Sequence, residues 1–271
     1  MSTLISWSDE TWNCVTGCDR VSPGCSGCYA MAMAARLKAM GSPRYQKDGG
    51  RASGPGFGVT LHPDKLEEPL HWKKPKRIFV NSMSDLFHED IPNAYIDRIF
   101  AVMALCPQHT FQVLTKRIER ALLYLNAKEI THSEVLDAAG EWSGGFEPLE
   151  PSMSWPLPNV LIGPTVENQH FADVRLPVLA QIHALGWRTM VSFEPLLQPI
   201  EVSHWLPVAV DWAIVGAESG PKRRPFDLDW ARSLQEQCQV SGTPFFFKQT
   251  SALRSESLEG VSTDLLVRQF P

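Results

Sequence analysis

One phrase recurs along this chain from about Val59 to Lys248: a short apolar run, a polar tip, then a stretch with helical spacing. Residues 77–82 precede 93–106, where Ile96, Ile99, Phe100, Met103 and Ala104 fall at helical intervals. Residues 110–115 precede 117–126, and 160–165 precede a helix expected over 172–185. Runs at 188–193, 212–216 and 244–248 complete the series. Short, fully apolar runs of this kind suit parallel strands that are buried on both faces beneath helices. The alternation predicts an α/β fold, a (β/α) barrel, partial or complete, with roughly six to eight mostly parallel strands. Residues 4–7 and 58–62 are candidates for two further strands.

Composition narrows the class. With 271 residues, 44% hydrophobic and 20% charged, the chain is a folded protein and not a disordered one. Its longest apolar run, 99–106, falls far short of the ~20 residues of a membrane span. The first ten residues lack the basic start and apolar stretch of an export signal, so a cytoplasmic location is expected. A net charge of −5 argues against a generally basic nucleic-acid coat and leaves room for local patches. One domain is expected over 1–250, with an insertion near 127–158 and a polar tail at 251–271. The Gly-, Lys- and Arg-rich segment 41–58 reads as a peripheral loop.

The polar tips follow the strands. They are Ser82, Ser84 and Asp85; Thr115, Lys116 and Arg117; Thr165, Glu167 and Asn168; Glu194; Glu218 and Ser219; Lys248 and Gln249. In a parallel barrel all such ends emerge on one face, the face that carries the active site.

Four of the six cysteines, Cys14, Cys18, Cys25 and Cys28, crowd into one segment, while Cys106 and Cys238 stand alone in apolar helical surroundings and read as inert core thiols. Without an export signal, such a cluster points to a metal or redox site and away from a disulfide scaffold. All four suit a tetrahedral zinc site, and Cys18, Cys25 and Cys28 alone suit an iron–sulfur cluster with one iron left open. Spacing does not choose between these. Pro23 with Gly17, Gly24 and Gly27 fits a loop wrapping closely around a bulky group.

The string Trp12-Asn-Cys-Val-Thr-Gly-Cys18, continued through Cys25-Ser-Gly-Cys28-Tyr-Ala30, resembles the phage-associated three-cysteine-motif proteins, a family of unknown function related to radical S-adenosylmethionine enzymes. Leu66-Glu-Glu-Pro-Leu70, the segment 79–88, Phe111-Gln-Val-Leu-Thr-Lys-Arg117, Glu194-Pro-Leu-Leu197, Gly216-Ala-Glu-Ser-Gly220 and Phe245-Phe-Phe-Lys-Gln249 extend the likeness over most of the chain. Cys14 stands where that family has proline, which marks it as a neighbour of the site. The gap between Cys18 and Cys25 is wider than in the familiar radical enzymes, and Gly27 holds the place of their aromatic.

The resemblance implies a [4Fe-4S] cluster on Cys18, Cys25 and Cys28, with S-adenosyl-L-methionine on the open iron and an unidentified electron donor. By the same likeness Ser82, Met83, Ser84 and Asp85 hold the cofactor's amino group, and Lys116, in a Leu-Thr-Lys-Arg string similar to that of the spore photoproduct lyase group, faces its carboxylate. Thr165, Glu167 and Asn168 stand near the ribose hydroxyls. Lys116, Glu194 and Glu218 are the candidate catalytic groups, with Lys248 in the same pocket. A nucleic acid or nucleotide is the implied substrate class, and Lys222-Arg-Arg224, Arg44, Lys47 and Arg51 are where phosphate contacts are expected. The competing reading is a zinc- or iron–sulfur-stabilised barrel that binds or senses without cleaving a cofactor. Arg117 is expected as an exposed helix-start residue, Phe245-Phe-Phe247 as a buried strand, and His62 and His88 as non-ligands.

Overall fold

The structure is a computed structural model that describes residues 3, 5–140 and 154–271. In chain order it contains β1 (Glu10–Trp12), β2 (Val15–Thr16), α1 (Tyr29–Ala39), β3 (Thr60–Leu61), β4 (Arg77–Val80), α2 (Asn93–Leu105), β5 (Thr110–Thr115), α3 (Ile118–Asn126) and α4 (Lys128–Gly140). There follow β6 (Val160–Pro164), α5 (Gln169–Ala184), β7 (Arg188–Thr189), β8 (Val191–Phe193), α6 (Leu206–Ala209), β9 (Ala213–Gly216), α7 (Leu228–Ser241) and β10 (Phe245–Gln249). The fold is mixed α/β. A five-stranded sheet in the order β1-β4-β5-β6-β7 and a three-stranded sheet β10-β9-β8 are both parallel throughout.

The two sheets meet where one extended segment changes partners. β7 pairs with β6 and β8 pairs with β9, and only Met190 separates them. A Thr165–Ser192 bridge spans the junction. Gly163 is required there, because a Cβ on it would lie 1.5 Å from the Met190 carbonyl oxygen. Gly163→Ala is therefore expected to cost about 2–3 kcal/mol in denaturant unfolding.

Side-chain alternation shows which way the sheets curve. Ile78, Val80, Val160, Ile162, Ala213, Val215, Phe245 and Phe247 join the main core, which also takes in the inner faces of α2, α3, α5 and α7. The residues between them in sequence, Phe79, Leu161, Ile214 and Phe246, meet Trp7, Met190 and Trp212 in a second cluster fed by both sheets. The sheets thus wrap around a packed interior. β1 and β10 remain outer strands, so no complete ring of hydrogen-bonded strands forms among the described residues. The edge of β10 is covered by the chain's last residues: Phe247 N donates to Val267 O at 2.8 Å and Gln269 N to Phe245 O at 2.9 Å.

Several expectations need correction. The first strand is Glu10–Trp12 and not 4–7, where Leu4 lies outside the described residues. It carries little apolar signal because Glu10 is buried through an ion pair with Lys76 at 2.8 Å. Residues 58–62 contribute only β3, which pairs antiparallel with β2. The segment 41–58 is not merely peripheral: Tyr45 and Phe57 pack with Ala30 and Ala34 of α1 and with Met83 in a third core. Within 127–158, where no periodicity is evident, α4 forms against α2 through Val135, Ala138 and Ala139, and small residues at that spacing give a faint pattern. Residues 141–153 of that insertion lie outside the described residues. Among the described residues no helix is long and apolar enough to cross a membrane.

Candidate functional site

The cysteine loop is tied to the C-terminal end of β4. Gly17 N donates to Met83 O at 2.9 Å, and Asn13 Oδ1 accepts from Met83 N at 3.0 Å and Ser82 Oγ at 3.2 Å. The Tyr29 hydroxyl donates to Ser82 O at 2.7 Å. Ser82 and Met83 thus fasten the loop. Farther along, Cys25 lies in a 3-10 turn over Pro23–Gly27, and Cys28 is the residue before α1. That turn sits on the strand tips: Ser22 Oγ donates to Glu167 Oε1, and Arg224 Nη2 donates to Pro23 O at 3.0 Å. A Cβ on Gly24 would come within 2.7 Å of Glu167, and one on Gly27 within 2.5 Å of Glu218. These glycines allow close approach to two carboxylates, a different reason from the expected wrapping of a cluster.

All six cysteines are free thiols. Cys14 is fully buried in the main core with its thiol on Asn81 Oδ1 at 3.5 Å, whereas Cys18 and Cys28 pack together against the small core beside α1. A zinc ion with Zn–S near 2.3 Å would draw its sulfurs to about 3.8 Å of one another. Among the described residues no trio of ligand atoms within 4.8 Å includes a cysteine. The loop is therefore not a preformed single-ion site. A cubane, in which each sulfur binds a different iron, spreads its ligands further, and three free thiols on one loop suit it.

Burial pushes the Cys18 thiol up to about 12, against the pull of Arg117. Arg117 Nη1 donates to Cys18 Sγ at 3.4 Å and to Asp85 Oδ2 at 3.2 Å. The guanidinium is mostly buried, which corrects the expectation of an exposed helix-start residue. Asp85 anchors this link. Its oxygens accept from Thr115 Oγ1 at 2.7 Å, Phe87 N at 3.1 Å and Lys116 N at 2.9 Å as well. With its acceptors engaged inside the chain, Asp85 is not the open partner for an ammonium group that was expected.

The remaining tips form cation–carboxylate pairs. Glu167 is fully buried, pairs with Arg175 Nη1 at 2.9 Å and has Lys116 Nζ at 3.7 Å. Glu194 accepts from Ser192 Oγ at 3.1 Å and lies 3.1 Å from Lys248 Nζ. For Glu218, burial raises the carboxyl's affinity for protons, but the Arg224 side chain and backbone N–H outweigh it and hold the group below its usual range. Two hydroxyls, Thr165 Oγ1 and Ser84 Oγ, are buried without a hydrogen-bond partner. Asn168, expected near a ribose, caps α5 by accepting from Phe171 N at 3.0 Å. Asn168→Ala is expected to cost about 1 kcal/mol of stability in thermal melts, an ordinary cap loss. The sequence does hold a signal for Arg175: an arginine in line with Ala172, Leu176 and Leu179 on a buried helix face needs a buried partner.

Asp19, His88 and Glu89 also come together. His88 Nδ1 accepts from Asp90 N at 3.1 Å, so its Nε2 carries the proton and faces Asp19 Oδ2 at 3.2 Å. An imidazole held in that tautomer braces the residue after Cys18 and offers no lone pair to a metal. Of the expected phosphate-binding residues, Arg44 pairs with Asp64, Lys47 donates to Val59 O and Arg224 serves Glu218.

A family model described as "Protein of unknown function (DUF5131)" matches residues 2–270. The chain belongs to this family. No curated protein matches this DUF5131 member in sequence. Among solved structures it is similar to a spore photoproduct lyase complexed with a dinucleoside spore photoproduct, with 10% identity, a TM-score of 0.48, and coverage of 94% of this chain and 78% of that one.

Proposed function

We propose that this DUF5131 member is an iron–sulfur enzyme of the radical S-adenosylmethionine type, belongs with the three-cysteine-motif group, and acts on a nucleic acid or nucleotide. The observation that carries the reading is the loop of three free thiols, spaced too widely for one ion, held over the C-terminal ends of parallel strands by Arg117, Glu167 and Arg224. The substrate class rests on the Leu114-Thr-Lys-Arg117 likeness to the photoproduct lyase group. When bound, the cluster and S-adenosyl-L-methionine supply one-electron cleavage of the sulfonium bond and a 5'-deoxyadenosyl radical.

The chain's own residues prepare the site. On binding iron, Cys18, Cys25 and Cys28 would release their protons to solvent, and the Arg117 cation beside Cys18 favours the resulting thiolate. Ser84 and Thr165 offer hydroxyls whose hydrogen bonds are still to be made, and they are our contacts for the polar groups of the cofactor. Lys116, Glu194, Glu218 and Lys248 line the same face and provide paired charges for orienting substrate. Asp85 and Asn168 act at one remove, by bracing Arg117 and α5.

Anaerobic reconstitution with iron and sulfide tests this. Brown protein whose broad visible absorption bleaches on reduction, and which releases 5'-deoxyadenosine on adding cofactor and reductant, is the expected result. Colourless protein with one stoichiometric zinc overturns the cluster, and a fully loaded cluster that leaves the cofactor intact points to electron transfer or sensing instead.

A further inference from the structure

Helix α1 is apolar on more than one side. Its inner face, Ala30 and Ala34, packs on Tyr45, Phe57 and Met83. A neighbouring face carries Tyr29, Met33 and Met40, which are 50%, 38% and 74% exposed, and Ala32 and Ala39 are also exposed. Val21, in the cysteine loop, is 42% exposed. An amphipathic surface helix would place polar residues there. Tyr29 reaches Ser82 O through its hydroxyl at 2.7 Å, while Met33 and Met40 stay open to solvent.

Charge singles out the same segment. Between residues 20 and 51 stand Arg20, Arg36, Lys38, Arg44, Lys47 and Arg51 against the single acid Asp48, in a chain of net charge −5. Lys38 and Arg44 have ion-pair partners. Arg20, Arg36 and Arg51 are exposed and have no ion pair among the described residues. Arg36 lies on the apolar stripe itself, at helical spacing from Tyr29, Met33 and Met40.

We infer that this face docks a small acidic electron-carrier protein, which delivers the electron that the proposed function requires; the inference rests on that reading. A methionine-rich apolar strip that carries Arg36, with Arg20 alongside through its Nε–Met31 Sδ contact at 3.5 Å, suits an acidic protein, with apolar contact and charge on one surface. It suits nucleic acid less, since phosphates would pair with the arginines and leave the methionine and alanine stripe against a polar backbone. The location fits too: α1 begins immediately after Cys28, so a carrier seated on its first turns lies beside a cluster ligand. One electron leaves the reduced carrier, which is oxidised, and enters the iron–sulfur centre, which is reduced; no group is transferred.

The probe is reduced flavodoxin, with Arg36→Glu and Met33→Asp made in the full chain. In reconstituted protein, flavodoxin-driven reduction is expected to slow by about tenfold in each variant and to slow in the wild type with added salt, as steered association does. Reduction by dithionite should stay at the wild-type rate, and matched melting curves show that the variants fold. Flavodoxin-driven rates unchanged by both substitutions overturn the inference, as does loss of single-stranded DNA binding with electron delivery intact. Flavodoxin binding to metal-free protein separates the two readings. If no cluster can be loaded, yet flavodoxin binds the wild type and is lost from the variants, the docking face stands while the enzyme reading falls. If flavodoxin binds neither metal-free nor loaded protein, the docking face is refuted whatever the cluster does.

Discussion

Alanine at Cys18, Cys25 or Cys28 is expected to abolish iron–sulfur loading, while Cys14→Ala retains it at close to the wild-type level. The contrast follows from position. Cys14 is fully buried in the main core with its thiol on Asn81, and burial raises its thiol well above the ordinary range. The other three lie along a loop braced by Met83, Glu167, Arg224 and Arg117. Losing any one of three protein ligands leaves a second iron without an anchor. Cys14→Ala instead removes one buried sulfur and should cost about 1 kcal/mol of stability, a small core truncation. Iron and sulfide content after reconstitution, read beside a denaturant melt, checks both halves. Equal loss of iron from Cys14→Ala would sink the three-ligand assignment.

Glu167→Gln is expected to destabilise the protein by about 3–5 kcal/mol, because it leaves the Arg175 cation buried without its counter-charge. Arg175 is 3% exposed and Glu167 not at all, and Arg175 also donates to Thr165 O at 2.8 Å, so the guanidinium cannot swing out to water without breaking the β6 end. The same carboxylate accepts from Ser22, and an amide weakens that charge-assisted bond to a neutral one, so the cysteine loop should loosen and become more open to limited proteolysis. The double variant Glu167→Gln, Arg175→Met should recover much of the lost stability, since removing both charges removes the unpaired one. Its loop should stay looser than in the wild type, because the charge-assisted bond to Ser22 is not restored. A single variant within about 1 kcal/mol of wild type, in the range of an exposed pair, would show that the pair is not the brace described.

Most strands from β4 onward were legible because each lies in a short, mainly apolar run between polar tips, and burial on both faces favours that pattern. Glu10–Trp12 was hidden by its buried ion pair, and α4 by the small size of the residues it buries. The position of the three cysteines relative to the strand ends followed from their place in the chain order. Their partners did not. Arg117 precedes a helix and looks like any solvated first-turn cation, yet the return of the loop after Thr16 brings Cys18 to it across almost a hundred residues of chain.

What the chain's order of residues determined by itself was the α/β alternation, the face on which polar tips gather, and the thiol set, since these depend on local periodicity and spacing. Tertiary structure decided which charges those tips spend on one another: Asp85 on Arg117, Glu167 on Arg175, Glu218 on Arg224. It also decided that Thr165 and Ser84 keep hydroxyls unspent and that one side of α1 is left bare. The reason is physical. A buried charge must find its counter-charge wherever the fold brings one within reach, and distance through space is a property no local stretch of sequence carries.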